Sequence, residues 1–159
     1  MADSDERNVP VAREVRRPDA LAQIVRAAQE ALRTDFAGIT LLRADGGFDS
    51  RGVTDPIVGL ADQLQDKFGE GPCVEVTLEA RTVLSIDVAD DPRWPRWGPA
   101  VRDLGLCSVL SAELRAHSRR IGALNLYGGT PREFTSDEVA LAHLYARQAA
   151  VKLAADGEP

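Results

Sequence analysis

The chain has 159 residues, of which 44% are hydrophobic and 28% are charged, and its formal net charge is −6. This length and composition predict one globular domain with a sizeable core. The acidic balance argues against binding of nucleic acid or of an anionic membrane by this chain, because both attract a basic surface. No apolar run approaches the roughly 20 residues of a membrane-spanning helix. The first residues also lack the apolar core of a secretory signal.

The two cysteines, Cys73 and Cys107, lie far apart and form no CxxC pattern. This arrangement predicts neither a zinc site nor a disulfide framework. We therefore expect a reduced, cytoplasmic protein without a metal site.

The first half of the chain predicts an arm, a helix, two strands and a second helix. Residues 1–17 are charged and lack periodicity, which favours a flexible arm. Apolar residues at helical spacing predict a helix over 18–33. Residues 36–43 and 48–53 are expected to form strands around the turn at 44–47. Residues 55–68 predict a helix with a buried stripe comprising Ile57, Leu60, Ala61, Leu64 and Phe68.

The second half predicts a short helix over 72–80, a strand over 82–87 and another short helix over 95–104. Strict alternation over 108–115 and 121–127, around a polar turn at 117–120, predicts an antiparallel hairpin. The alternation places Ile121 on one face with Ala123, Asn125 and Tyr127.

A final helix is expected from Thr135 or Ser136 to Ala154, and it carries two apolar stripes. The first stripe comprises Val139, Ala142, Ala146, Ala149 and Leu153. The second comprises Leu141, Leu144, Tyr145 and Val151. The second stripe packs against the first helix, forms a dimer interface or contacts a following domain. The whole order predicts an α+β fold, with the terminal helices on one face of an antiparallel sheet and an irregular middle segment on the other.

The irregular crossover at 69–105 mixes glycine, proline and aromatic residues, a composition that is typical of the loops around a concave site. The predicted ligand-binding residues are Trp94, Trp97, Cys73, Val76, Asp87, Ser111 and Asn125. Each also has a structural interpretation: the tryptophans as plugs of the core, Asp87 as a loop cap, and Asn125 as a partner of backbone groups.

The sequence gives no sign of a catalytic constellation. It contains no serine-hydrolase, zincin or P-loop pattern. His117 falls in a polar turn and His143 lies between apolar stripes of the last helix. Cys73 follows Pro72 at the start of a short helix, where a thiol pKa could be lowered. We expect no catalytic residues and no enzyme activity.

Three ordered segments carry a family resemblance: FGEGPCVEV, TVLSIDVADDPRWPRW and LGLCSVLSAELRAHSRRIGALNLYGGTPREFTSDEVALAHLYARQAA. They resemble a GAF domain over residues 18–155, most closely the GAF part of actinobacterial GAF–ANTAR regulators. The resemblance implies a six-stranded antiparallel sheet, terminal helices that often dimerise, and a small-molecule pocket beneath the crossover. In those regulators an RNA-binding ANTAR part follows the last GAF helix. Here a short tail at 156–159 stands at that place, so we expect either a truncated or a stand-alone GAF protein.

The resemblance implies a non-catalytic sensory domain that binds a small molecule and signals through its terminal helices in a homodimer, in transcriptional or signal-transduction control. The ligand and any cofactor stay open, because the residue sets typical of cyclic-nucleotide, bilin and haem binding are not evident. One alternative is a purely structural dimerisation module. A second is a free methionine-(R)-sulfoxide reductase, a class that also uses a GAF fold, with Cys107 before a strand.

Overall fold

The computed structural model describes residues 19–78 and 81–157, so the predicted arm at 1–17 and the end of the predicted tail lie outside the described residues. The helices are α1 (Ala20–Leu32), α2 (Pro56–Phe68), α3 (Pro72–Leu78), α4 (Trp97–Asp103) and α5 (Ser136–Ala155). The strands are β1 (Phe36–Leu42), β2 (Phe48–Arg51), β3 (Thr82–Ser85), β4 (Ser108–Ala116) and β5 (Arg119–Gly128). The predicted order of elements is confirmed, with bounds shifted by a few residues.

The sheet is antiparallel, with the strand order β2-β1-β5-β4-β3. The described residues therefore contain five strands, and the expectation of a six-stranded sheet from the family resemblance is wrong. The segment between β3 and β4 forms a 3₁₀ turn over Val88–Asp90 and then helix α4. Its prolines, Pro92, Pro95 and Pro99, lack the N–H group that a further strand would need to extend the ladder.

The central β4–β5 hairpin turns more tightly than predicted. Its loop consists of His117 and Ser118, both with positive φ angles (53° and 66°), as in a type I′ turn. The strand pairing shifts between Leu114 and Arg115, which leaves Ile121 as the extra residue of a bulge in β5. Ile121 consequently packs in the core beneath the terminal helices, not with Ala123 as the simple alternation predicted.

The core has two layers, one on each face of the sheet. Helices α1 and α5 cover the first face, where α5 presents Ala142, Ala146, Ala149 and Leu153 to the sheet and to α1. Small alanine side chains let these helices pack closely against their neighbours. Helices α2, α3 and α4 and the 3₁₀ turn cover the second face, around Trp94, Trp97 and Tyr127. The predicted layering of the fold is thus confirmed.

Helix α2 buries its predicted stripe only in part: Ala61 is buried, and Ile57, Leu64 and Phe68 are half-buried against the core. Leu60 is 43% exposed, whereas Asp62 and Gln65 are buried alongside Val58 and Ala61. The helix is rotated because its buried carboxylate and amide are hydrogen-bonded inside the molecule, which removes the usual cost of burying polar groups.

Helix α5 begins with a reciprocal capping box. The Thr135 hydroxyl accepts a hydrogen bond from the Glu138 backbone N–H (3.1 Å), and the Glu138 carboxylate accepts one from the Thr135 N–H (2.8 Å). Each bond satisfies an N–H group that the helix cannot pair by itself.

We predict that Thr135→Ala lowers the free energy of unfolding by about 1 kcal/mol in urea denaturation, because the side-chain half of the cap is lost. Ser136→Ala is the matched control, since its hydroxyl is not part of the box. Equal losses in the two variants would show that the cap does not stabilise α5.

Candidate functional site

A hydrogen-bonded chain of side chains lies buried on the crossover face of the sheet. The Asn125 amide N–H donates to the Thr40 hydroxyl (2.8 Å), and the Ser111 hydroxyl donates to the Asn125 carbonyl (2.6 Å). The Thr40 hydroxyl in turn donates to the Asp62 carboxylate (2.9 Å). All four residues are buried. The contacts join three neighbouring strands, β1, β5 and β4, to helix α2.

Cys73 and Gln65 extend this chain to helix α3. The Cys73 backbone N–H donates to Gln65 Oε1 (2.9 Å), and Gln65 Nε2 donates to Asp62 (3.1 Å). The Cys73 sulfur lies 3.5 Å from the side-chain nitrogen of Asn125. Gly71 is required beside this contact, because a Cβ atom there would approach Gln65 Oε1 to 2.3 Å. The turn at Gly71, Pro72 and Cys73 (the GPC turn) therefore positions the thiol against the sheet.

Burial dominates the electrostatics of the network. It raises the pKa of Asp62 from 3.8 to about 6, although hydrogen bonds from Ser50, Thr40 and Gln65 favour the carboxylate. Burial, and then the nearby charge of Asp62, raises the pKa of Cys73 to about 12. The expectation that the helix start could lower this thiol pKa is therefore wrong, since removal from water outweighs it.

The two predicted tryptophans close the crossover over the network. Their rings meet edge to face, with centroids 5.2 Å apart and planes at 82°. The Trp97 indole N–H donates to the Ala61 carbonyl of α2 (2.9 Å), and the Arg93 guanidinium lies 4.4 Å above the Trp94 ring. Both tryptophans are fully buried, in agreement with their interpretation as plugs of the core.

Two polar atoms in this layer have no hydrogen-bond partner within the described part of the chain. They are the indole nitrogen of Trp94 and the hydroxyl of Tyr127, and both side chains are 0% exposed. Nearly all buried polar groups in proteins are paired with protein or with bound water. Burial also raises the pKa of the Tyr127 hydroxyl well above its ordinary value, so the group is a neutral donor and acceptor.

Asp87 lies apart from the other predicted site residues. It caps the 3₁₀ turn through the Ala89 N–H (3.1 Å), and both its carboxylate oxygens lie 2.9 Å from the Arg102 guanidinium. It also lines an open groove of about 600 Å³ between β3 and the segment before α5. The loop-cap interpretation of Asp87 is thus the one that its contacts support.

The structure brings Cys73, Ser111 and Asn125 into direct contact and places Val76, Trp94 and Trp97 in the apolar layer around them. The predicted pocket beneath the crossover is not shown, because buried side chains occupy that space. Sequence reasoning missed five polar members of this layer: Thr40, Ser50, Asp62, Gln65 and Tyr127. The sequence carries one signal for the burial of Asp62 and Gln65: their i, i+3 spacing places them on the same helix face as Val58 and Ala61.

The fold of the chain is that of a known family of domains. A family model described as the GAF domain matches residues 15–154, and the chain belongs to this family. GAF domains are commonly sensory or regulatory. No helix in the described part of the chain is long and apolar enough to span a membrane.

Solved structures support the same fold. The domain of a two-component sensor histidine kinase from Sinorhizobium meliloti is 22% identical, with a TM-score of 0.63 over 83% of this chain and 87% of that one. The photoproduct state of a Synechocystis GAF3 domain is 15% identical, with a TM-score of 0.69 over 86% and 92%. Free methionine-R-sulfoxide reductase from Neisseria meningitidis, solved with its substrate, is 17% identical, with a TM-score of 0.61 over 90% and 83%. No curated protein sequence matches the chain.

We predict that Asp62 makes the stability of the domain depend on pH. Its folded pKa of about 6 exceeds the ordinary 3.8, so the folded state holds the proton more strongly than the unfolded state. The resulting stabilisation is present at low pH and is lost as the pH rises through about 6. Between about pH 4 and pH 7 the loss is on the order of 2–3 kcal/mol.

Urea denaturation of wild type and Asp62→Asn across this pH range measures the effect. The difference in unfolding free energy, wild type minus variant, should fall as the pH rises. Asp66→Asn is the control, because Asp66 is half-exposed on the same helix and is outside the network. A pH-independent difference for Asp62→Asn would contradict the prediction.

Proposed function

We propose that this GAF domain is a non-catalytic sensor that binds a small molecule beneath the crossover and transmits binding to its terminal helices. Transcriptional or signal-transduction control is the setting that the resemblance to GAF–ANTAR regulators favours. The observation that carries the proposal is the pair of unpartnered buried groups, the Trp94 indole N–H and the Tyr127 hydroxyl. A bound molecule with one or two polar atoms would satisfy both groups.

The polar network gives such a ligand a way to act. Asp62, Gln65 and Cys73 connect the sheet to α2 and α3, and Trp97 connects α2 to α4. A molecule that inserted beneath the tryptophans would shift these elements together. Binding would then select one arrangement of the crossover over another.

A structural dimerisation module is the second candidate, and the filled interior favours it. Trp94, Trp97 and Tyr127 occupy the space in which a ligand would lie. On this hypothesis, the unpaired polar atoms are a small cost within a closed core. The two candidates differ in whether the purified protein carries or takes up a ligand.

The thiols support the non-catalytic proposal over a sulfoxide reductase. Cys73 and Cys107 are both buried, and burial raises the pKa of each thiol. A nucleophilic cysteine needs an accessible thiolate. Burial removes the access, and the raised pKa keeps the thiol protonated. The likeness to the Neisseria reductase is a likeness of fold.

The outer face of the terminal helices is the dimer surface that we propose. Leu144 and Val151 on α5 are 52% and 65% exposed, and the half-buried Leu141 and Tyr145 lie beside them. These four residues are the second apolar stripe of the sequence. Apolar side chains aligned on one helix are costly to leave in water, and a second copy would cover them.

The ligand proposal predicts a reproducible adduct in native mass spectrometry of the protein purified from its own host. Tyr127→Phe should lose the adduct while its thermal stability stays equal or rises, because the variant removes an unsatisfied buried hydroxyl. The chain has one other tyrosine, and Tyr145→Phe is the matched control. A bare protein that also shows no thermal shift with any small molecule of a metabolite library would favour the structural module.

The dimer proposal predicts that Leu144→Glu and Val151→Glu yield monomers in light scattering coupled to size exclusion, because each places a charge in the apolar interface. Leu60→Glu is the control, since Leu60 is exposed on α2, away from the terminal helices. A wild-type monomer at concentrations of about 100 μM, far above a micromolar dissociation constant, would overturn the proposal.

A further inference from the structure

A second pocket lies outside the crossover layer, where the start of β3 meets the middle of α5. It has a volume of about 190 Å³ and is lined by Arg81, Glu113, Arg115, His143 and Arg147. His143 lies 2.6 Å from the Thr82 hydroxyl, which connects α5 to the edge of the sheet. No predicted binding residue falls in this pocket, and it does not depend on the function proposed above.

Among the described residues, Glu113 is the only carboxylate of the lining, and its oxygens are already paired with arginines. Its side chain is 3% exposed, with its oxygens 3.0 Å from Arg81 Nε, 2.7 Å from Arg120 Nε and 3.6 Å from Arg115 Nη1. The carboxylate therefore neutralises one cation, while three guanidiniums line the pocket. This local excess of positive charge stands out in a chain whose net charge is −6.

Arg147 and His143 show that the excess is not compensated. Among the residues described, Arg147 has no ion pair, and it lies four positions after His143 on the same side of α5. Burial, and then the positive charge of Arg81, lowers the pKa of His143; Arg147 acts in the same direction and Glu113 opposes it. Burial is the main cause of the lowered pKa, and the two arginines add to it. Because no described carboxylate other than Glu113 faces them from the lining, an anion would relieve their part of the effect.

We propose that this pocket binds the phosphate group of a small phosphorylated molecule. Arginine forks match phosphate oxygens in pairs, and a phosphate monoester carries close to two negative charges at neutral pH. A dianionic phosphate monoester therefore offsets more of this excess positive charge than a single carboxylate, which carries one negative charge. The pocket volume of about 190 Å³ is sufficient for a phosphate and a few attached atoms.

The site would connect two parts of the fold. Arg81 directly precedes β3 and Arg115 lies on β4, while His143 and Arg147 belong to α5. A phosphate held between them would fix α5 against the sheet at the middle of the helix. The helix that we propose for dimer contacts would thereby acquire an input separate from the crossover.

The test is a proton NMR titration of the full chain with inorganic phosphate and with glycerol phosphate, at constant ionic strength. The chain has two histidines, so His143 and His117 can be followed together, and His117 is outside the pocket lining. Saturable shifts and a raised pKa are expected for His143. Tighter binding of the monoester would identify a phosphorylated metabolite as the source, and equal binding would identify the free ion.

Arg147→Gln and Arg115→Gln should each weaken phosphate binding about tenfold or more, because each removes a charge-assisted contact. Arg26→Gln is the matched control, since Arg26 is exposed on α1 and outside the pocket. Unchanged thermal denaturation of the variants shows that they fold. Shifts that do not saturate, wild-type affinity in Arg147→Gln, or an equal loss in Arg26→Gln would overturn the proposal.

Discussion

The Asn125 side chain is the constraint on which the crossover layer depends. From the centre of β5 it contacts Thr40 on β1, Ser111 on β4 and Cys73 on α3. Because all of these groups are buried, each would be left unsatisfied if its partner moved, at a cost of about 1–3 kcal/mol. The network therefore fixes where α2 and α3 sit on the sheet, and the tryptophans can close over only that arrangement.

Sequence reasoning succeeded where the pattern is local and apolar. The alternation in β4 and β5 and the Thr135 cap each fixed an element to within a few residues. It failed where polar groups are buried. The polarity of Asp62 and Gln65 assigns them to the surface, although they share a helix face with the buried Val58 and Ala61. Hydrogen bonds with Thr40 and Cys73 across the interface make their burial favourable.

The candidate site was likewise predicted only in part from the sequence. Cys73, Ser111 and Asn125 were predicted and do meet, since the strand register and the GPC turn place them together. Asp87 was predicted beside them, yet its carboxylate is committed to the 3₁₀ turn and to Arg102. Spacing along the chain cannot distinguish a loop carboxylate that faces a cavity from one that caps its own loop.

Edge strand β3 carries a further consequence for how copies of this chain can associate. Two carbonyls along its outer side are already occupied: Leu84 accepts a hydrogen bond from Arg93 Nη2 (2.7 Å), and Ile86, just past the strand, accepts one from the Arg132 backbone N–H (3.2 Å). An unpaired strand edge is a template for fibril growth and strand exchange. With these acceptors blocked, β3 resists aggregation through backbone pairing, and its exposed leucine and isoleucine can remain at the surface.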